Sequence, residues 1–287
     1  PSVAQNRCVL LVWAKALTIC VLLWRANLLK QFFKKMPKIF ARRRFGQNFL
    51  NDESVVDSLI KSIAPKADDF LIEIGPGRAA LTSALLAYSK NLTVIEIDRD
   101  LVAFLKAKFP NLNIIADDVL KVDFSNFPNF RLVGNLPYNI STPILIRLKH
   151  LKKNLIDAHF MLQKEVVDRM VATPNTAAYG RLSVALQCDF KITKCFEIPP
   201  EAFTPAPKVT SAWVKIQKNS AFTVENRQRF DFVLKQAFSQ RRKTLRNTLR
   251  HILNEESARA CHIDLNARAE NLSVLDFVRI ANFKESS

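Results

Sequence analysis

From residue 70 onward, short β-branched or apolar runs alternate with stretches of helical periodicity: FLIEIG (70–75), LTVIEI (92–97), LNIIA (112–116), FRLVGN (130–135) and IDAHFML (156–162). Parallel strands need long crossovers and a helix is the compact one, so this alternation predicts repeated βαβ units and a parallel sheet covered on both faces. Two later runs, FKITKCFEI (190–198) and VTSAWVKIQ (209–217), flank the proline-rich PPEAFTPAP and read as a closing, hairpin-like pair. After a polar break at 218–226 the strand signal stops. The spacing then predicts helices, first over RQRFDFVLKQAFSQRRKTLRNTLRHIL and afterwards in one or two segments ending near Phe283. The expected class is α/β with a small all-helical C-terminal domain, and 287 residues at 48% hydrophobic suffice for both.

The net charge of +17 is concentrated at the two ends of that pattern. Residues 1–51 hold ten Lys and Arg and no acid, and 227–250 hold eight against the single Asp231, whereas 52–226 carry a net charge of only +2. Clusters such as ARRRFG and SQRRKTLR repel themselves unless an anion relieves them, so the ends are expected to hold a polyanion while the middle does chemistry. In the second cluster Arg242, Arg246 and Arg250 recur every four residues. That spacing predicts one helical face, flanked by Arg241 and Lys243, with Leu245 and Leu249 packing elsewhere. A merely solvated face is the alternative, in which case Arg42, Arg43 and Arg44 carry the grip. Cys8, Cys20, Cys188, Cys195 and Cys261 show no ligand spacing and read as reduced thiols in a cytoplasmic setting, with no metal site.

Residues 1–35 stand outside this organisation. The run CVLLVWAKALTICVLLWRANLL raises a signal peptide, a transit peptide or a membrane helix, but Lys15 interrupts it and Arg25 follows, leaving no uncharged span of about 18 residues. A spanning helix is not expected. The preferred reading is that the segment comes from upstream of a start at Met36.

The first strand ends in EIGPGRAALT, where Gly75 and Gly77 let the backbone approach a ligand and aim amides at it. Such a turn serves dinucleotides, flavins and sulfonium cofactors alike, and the absence of a following Lys-Ser/Thr excludes a P-loop. Glu96, 21 residues after Gly75, is placed to accept both hydroxyls of a ribose, and Asp118 to accept from an adenine amine; a helix N-cap is the alternative for either. A ribose, an adenine and no phosphate grip fit S-adenosyl-L-methionine better than a nicotinamide dinucleotide. GNLPYNIS (134–141), at the end of a buried strand, then acquires a purpose beyond turn chemistry. An exocyclic adenine amine is a poor nucleophile until acceptors draw its hydrogens. Asn135, with a main-chain carbonyl at Leu136 or Pro137, would do so, Pro137 stiffening the turn and Tyr138 offering a stacking face.

FGQNFL, EIGPG, VIEIDRD, GNLPYNIS, MLQKEVVDRM, AFTPAPKVTSA and FSQRRKTLRNTL stand in the order and approximate spacing found in the bacterial small-subunit ribosomal RNA adenine dimethyltransferases, and about residues 40–285 resemble that family. The resemblance implies a Rossmann-like class I methyltransferase domain over 36–218 and a helical RNA-binding domain over 227–287. It implies dimethylation of two adjacent adenosines near the 3′ end of small-subunit rRNA, with S-adenosyl-L-methionine as donor and S-adenosyl-L-homocysteine as product. Gln47, Asn48, Leu50, Gly75, Gly77, Glu96, Asp118 and Asn135 would surround the cofactor. Asn135 to Tyr138 would also grip the target base, with Phe203 as its second stacking face. Arg42, Arg43, Arg44, Arg241, Arg242, Lys243, Arg246 and Arg250 would hold RNA of the assembling small subunit. The expected enzyme is a cytoplasmic monomer without a membrane partner. Methyltransferases often carry a third glycine where this chain has Ala79. Rival readings are a large-subunit rRNA adenine dimethyltransferase, which FSQRRKTLRNTL opposes; a DNA adenine methyltransferase, which usually begins the NLPY motif with Asp; and a non-catalytic RNA-binding assembly factor.

Overall fold

The apolar runs read as strands do form strands, in a computed structural model that describes residues 47–138 and 140–284. Residues 1–35 and the arginines Arg42, Arg43 and Arg44 lie outside the described residues. In chain order the first half comprises β1 (Phe49–Leu50), α1 (Glu53–Ile63), β2 (Leu71–Ile74), α2 (Ala80–Leu85), β3 (Leu92–Ile95), α3 (Arg99–Lys108), β4 (Asn113–Ile115), β5 (Phe130–Asn135) and α4 (Ser141–Leu151). The second half comprises β6 (Leu155–Gln163), α5 (Lys164–Val171), α6 (Arg181–Gln187), β7 (Phe190–Ile198), β8 (Phe203–Thr204), β9 (Ser211–Lys218), α7 (Arg227–Ala237), α8 (Leu245–Thr248), α9 (Glu255–Ala260) and α10 (Val274–Asn282).

Seven strands make one sheet in the order β4-β3-β2-β5-β6-β9-β7. The first five are parallel. β5 is buried along nearly its whole length, as a central strand covered on both faces must be, and its sequence is apolar at Phe130, Leu132 and Val133, with the buried Arg131 paired to acids. The late pair is antiparallel, as expected of a hairpin-like closure, but β9 inserts between β6 and β7 and pairs with both. The sheet is therefore mixed. A second, two-stranded sheet joins β1 to β8 across 153 residues of sequence, with Leu50 opposite Phe203. Strands of two residues leave too short a pattern to read.

Helix α1, which follows β1, is held at both ends. Asp52 caps its first turn by accepting from the Ser54 and Val55 amides, and Ala64 ends it in the left-handed region. Arg131 of β5 then donates to the Ile63 carbonyl at 2.7 Å while pairing with both oxygens of Asp157 and with Asp69. Burial alone would raise the Asp157 carboxyl, but hydrogen bonds from His159 and Arg131 hold it down at about 2.

The C-terminal helices close a core around Phe230, Leu245, Leu249 and Phe277, to which Tyr179, Val184 and Cys188 also contribute. The expected single helix through the basic cluster is not formed. α7 stops at Ala237, Phe238 turns in against Tyr179 and Phe277, and residues 238–243 are turns and bends. Thr244 bridges Arg268 in extended conformation, and the Leu245 and Arg246 amides donate to the Ala267 and Leu265 carbonyls. Backbone partners from a distant segment outcompete helix propagation. Leu245 and Leu249 are buried as expected, but Arg242, Arg246 and Arg250 do not line one helical face.

Candidate active site

The strand order reverses between β2 and β5, and a crevice must open beyond the carboxyl ends of strands at such a switch point. A cavity of about 350 Å³ lies there. Eleven of the residues expected to act line it: Gln47, Asn48, Leu50, Gly75, Gly77, Glu96, Asp118, Asn135, Leu136, Pro137 and Tyr138. β2 and β5 come close enough to form its floor because residue 134 is glycine. A Cβ at Gly134 would stand 2.5 Å from the Ile74 carbonyl oxygen.

Gly75 and Gly77 both have φ in the left-handed region, +65° and +55°. A Cβ on Gly77 would sit 3.0 Å from the Phe49 ring, so glycine is also what lets the strap of residues 47–50 close over the turn. Ala79 shares the left-handed conformation at φ 67° with its methyl fully buried. The third-glycine position thus keeps its geometry at a strain of about 1–2 kcal/mol.

The acids divide by environment. Glu96 is buried and accepts from the Asp98 amide at 2.9 Å; burial raises its pKa, with backbone hydrogen bonds opposing. It is not the cap of α3, because that place belongs to Asp98, which accepts from the Asp100 amide and, on its other oxygen, from the Gln47 side chain at 3.2 Å. Asp118 caps a turn, one oxygen accepting from the Leu120 amide, and no helix begins there. Glu73 was not singled out from the sequence, although an acid inside the apolar run FLIEIG is a signal. It lines the cavity, is 2% exposed, and accepts from the Thr82 hydroxyl at 2.6 Å. Burial, opposed by that bond and reinforced by Glu96, pushes its pKa up to about 8.

Asn135 closes the site from the other side. Its Nδ2 donates to the Asn48 carbonyl at 3.0 Å, and since a carbonyl only accepts, the amide can take no other orientation. The side-chain oxygen is left pointing away from the strap. The Pro137 carbonyl accepts from the Ile140 amide and the Ser141 hydroxyl, both at 3.1 Å. Of the two main-chain acceptors considered for this turn, the Leu136 carbonyl is the one with no recorded donor among the described residues. Tyr138 is half-buried, its hydroxyl 3.0 Å from Ser211 Oγ.

Phe203 is not among the side chains that line the cavity, although its strand partner Leu50 is. It is 3% exposed and packs in the apolar cluster with Leu50, Ile198 and Trp213, because β8 must lie against β1 to hold the strap. Trp213 and Phe49, neither singled out from the sequence, do line the cavity. In the helical region Arg241, Arg242, Lys243, Arg246 and Arg250 are all exposed. Arg241 pairs with Glu270 and the Ala177 carbonyl, Arg246 with Glu255, and Arg250 with His251. Among the described residues no cluster of acids, histidines and cysteines could hold a metal, and no helix is long and apolar enough to cross a membrane.

A family model described as ribosomal RNA adenine dimethylase matches residues 39–286. A ribosomal RNA small subunit methyltransferase A from Methylobacillus flagellatus is 48% identical over 251 residues, spanning 86% of this chain and 98% of the relative. One of the same description from Nitrosospira multiformis is 49% identical over 247 residues, spanning 84% and 95%. Among solved structures, a dimethyladenosine transferase from Plasmodium falciparum matches with a TM-score of 0.72 at 26% identity, over 81% of this chain and 95% of that one. The 23S rRNA methyltransferase ErmE matches with a TM-score of 0.64 at 22% identity, over 81% and 98%, and shares the fold.

Proposed function

The chain belongs to the ribosomal RNA adenine dimethylase family, and on that premise we propose that it transfers methyl groups to the exocyclic amines of two adjacent adenosines near the 3′ end of small-subunit (16S) rRNA. The products are dimethyladenosines, formed during ribosome biogenesis. The donor is S-adenosyl-L-methionine, which when bound supplies an electrophilic methyl group on a sulfonium. The cavity fits such a group: a left-handed glycine turn, buried Glu96 for the ribose hydroxyls, the second oxygen of Asp118 for the adenine amine, and no phosphate-binding lysine after the glycines.

The observation that carries the mechanism is the fixed orientation of Asn135. With Nδ2 committed to Asn48, its oxygen is free to accept from the target amine, and the Leu136 carbonyl is the second acceptor. Two acceptors drawing the amine hydrogens favour the pyramidal, nucleophilic nitrogen, and they are aimed before the base arrives. Tyr138 stacks the base, for which contacts of this kind contribute about 1–3 kcal/mol. Holding amine and methyl in line supplies much of the acceleration. Arg242 and Lys243, exposed and without a recorded partner among the described residues, take rRNA phosphates, joined by Arg241, Arg246 and Arg250 when their surface pairs yield to phosphate. The enzyme works in the cytoplasm as a monomer.

The test is Asn135→Ala assayed on unmethylated small subunits, with the modified base mapped. Loss of one oriented acceptor is expected to cost about 3–4 kcal/mol, two to three orders of magnitude in rate, with subunit affinity within a few-fold of the parent. Calorimetry with S-adenosyl-L-methionine reads separately what the lost Asn48 contact does to the strap. Near-normal turnover would remove Asn135 from the mechanism.

A further inference from the structure

In the stretch AFTPAPKVTSA the expected stacking face, Phe203, packs beside Leu50 and Trp213. The last part of that stretch does something else. Ser211 opens β9 and sits between Gln163 of β6 and Ile198 of β7, so its backbone is held by strands on both sides. It is 1% exposed, and its Oγ lies 3.0 Å from the Tyr138 hydroxyl. Tyr138 has no such support of its own: it follows the end of β5, in the turn beyond Pro137, outside the ladder.

We propose that Ser211 is a positioning residue for Tyr138, fixing the far end of the ring so that its face stays presented to the cavity when the target adenine enters. This rests on the reading of Tyr138 as the stacking face. A tyrosine side chain anchored only at its Cβ sweeps its ring through a wide arc about χ1. A hydrogen bond at the hydroxyl, in the plane of the ring, removes that freedom while leaving both faces uncovered. Burial raises the Tyr138 hydroxyl above its ordinary value, with the Ser211 bond opposing, so the phenol is neutral at physiological pH and either oxygen can donate. Ordering the ring beforehand means the incoming base does not have to do so, which is where such a bond acts.

The effect should fall on kcat. On the reading that basic residues of the helical region hold the subunit, a poorly ordered ring lowers the fraction of bound subunits with the base seated and leaves KM for the subunit nearly unchanged. For Ser211→Ala the expected result is a 3- to 10-fold lower kcat, with KM for the subunit, affinity for S-adenosyl-L-methionine and melting temperature close to the parent. Tyr138→Phe, which keeps the ring and loses the tether, should match it, and the double variant should be no worse than either single one. Independent, multiplying losses in the double variant would overturn the proposal. So would a normal kcat in Ser211→Ala, or a loss explained by a fall in melting temperature or cofactor affinity. Tyr138→Ala separates the two levels: normal turnover there would defeat the stacking reading itself. A crippled Tyr138→Ala beside a normal Ser211→Ala would defeat only the role of Ser211.

Discussion

Glu73→Gln should make the protein more stable, and by an amount that depends on pH. In the folded chain the Glu73 carboxyl is enclosed by the cavity floor, accepts from the Thr82 hydroxyl, and stays neutral up to about 8. In the unfolded chain it ionises near 4.5. Between those values the folded state holds a proton that the unfolded state has released, so stability falls as pH rises from about 4.5 towards about 8 and stays reduced above. At about 1.4 kcal/mol per pH unit across that window, the full difference approaches 5 kcal/mol as an upper bound. Glutamine keeps an oxygen for Thr82 and does not titrate. Urea unfolding at pH 5, 7 and 9 should therefore show parent and variant within about 1 kcal/mol at pH 5, with the variant ahead by several kcal/mol at pH 9. A difference of the same size at all three pH values would refute the reasoning, because it would mean that Glu73 carries the same charge in both states.

Gly134→Ala places a Cβ 2.5 Å from the Ile74 carbonyl oxygen and must push β2 and β5 apart at the mouth of the crevice. The expected cost is about 1–3 kcal/mol, a fall in melting temperature of roughly 2–4 °C per kcal/mol, accompanied by weaker cofactor binding in calorimetry; unchanged values of both would show that the strands absorb the methyl. Reversing Arg242 and Lys243 to Glu together should flatten the dependence of log affinity for rRNA on log salt by somewhat under about two units and slow methylation of subunits, with cofactor affinity intact. An unchanged slope in filter binding would assign both residues to solvent and move the phosphate grip to Arg42, Arg43 and Arg44.

Periodicity made the parallel core legible, because a buried parallel strand has to be largely apolar on both faces and its crossover has to be helical: β5 runs over the residues its pattern marks, and so does the antiparallel edge strand β7, whose inward face alternates with an outward one. The glycine turn and the acids at strand ends were legible for the same local reason, since the ends of parallel strands all open into one crevice. Where the chain departs from its pattern, the deciding partner is far away in sequence. The helix through QRRKTLRNTLR breaks because Thr244, Leu245 and Arg246 find backbone partners at 265–268, and no local propensity records that competition. The surroundings of Phe203 and Ser211 follow from β8 pairing with β1 and β9 inserting beside β6, which pack one ring beside Leu50 and set one hydroxyl against Tyr138. NLPY announces an acceptor at Asn135, but its direction depends on the carbonyl of Asn48, 87 residues earlier. Residue types and spacing carry the chemistry a chain can offer. Which atom faces the substrate is set by hydrogen bonds that exist only once distant segments have packed.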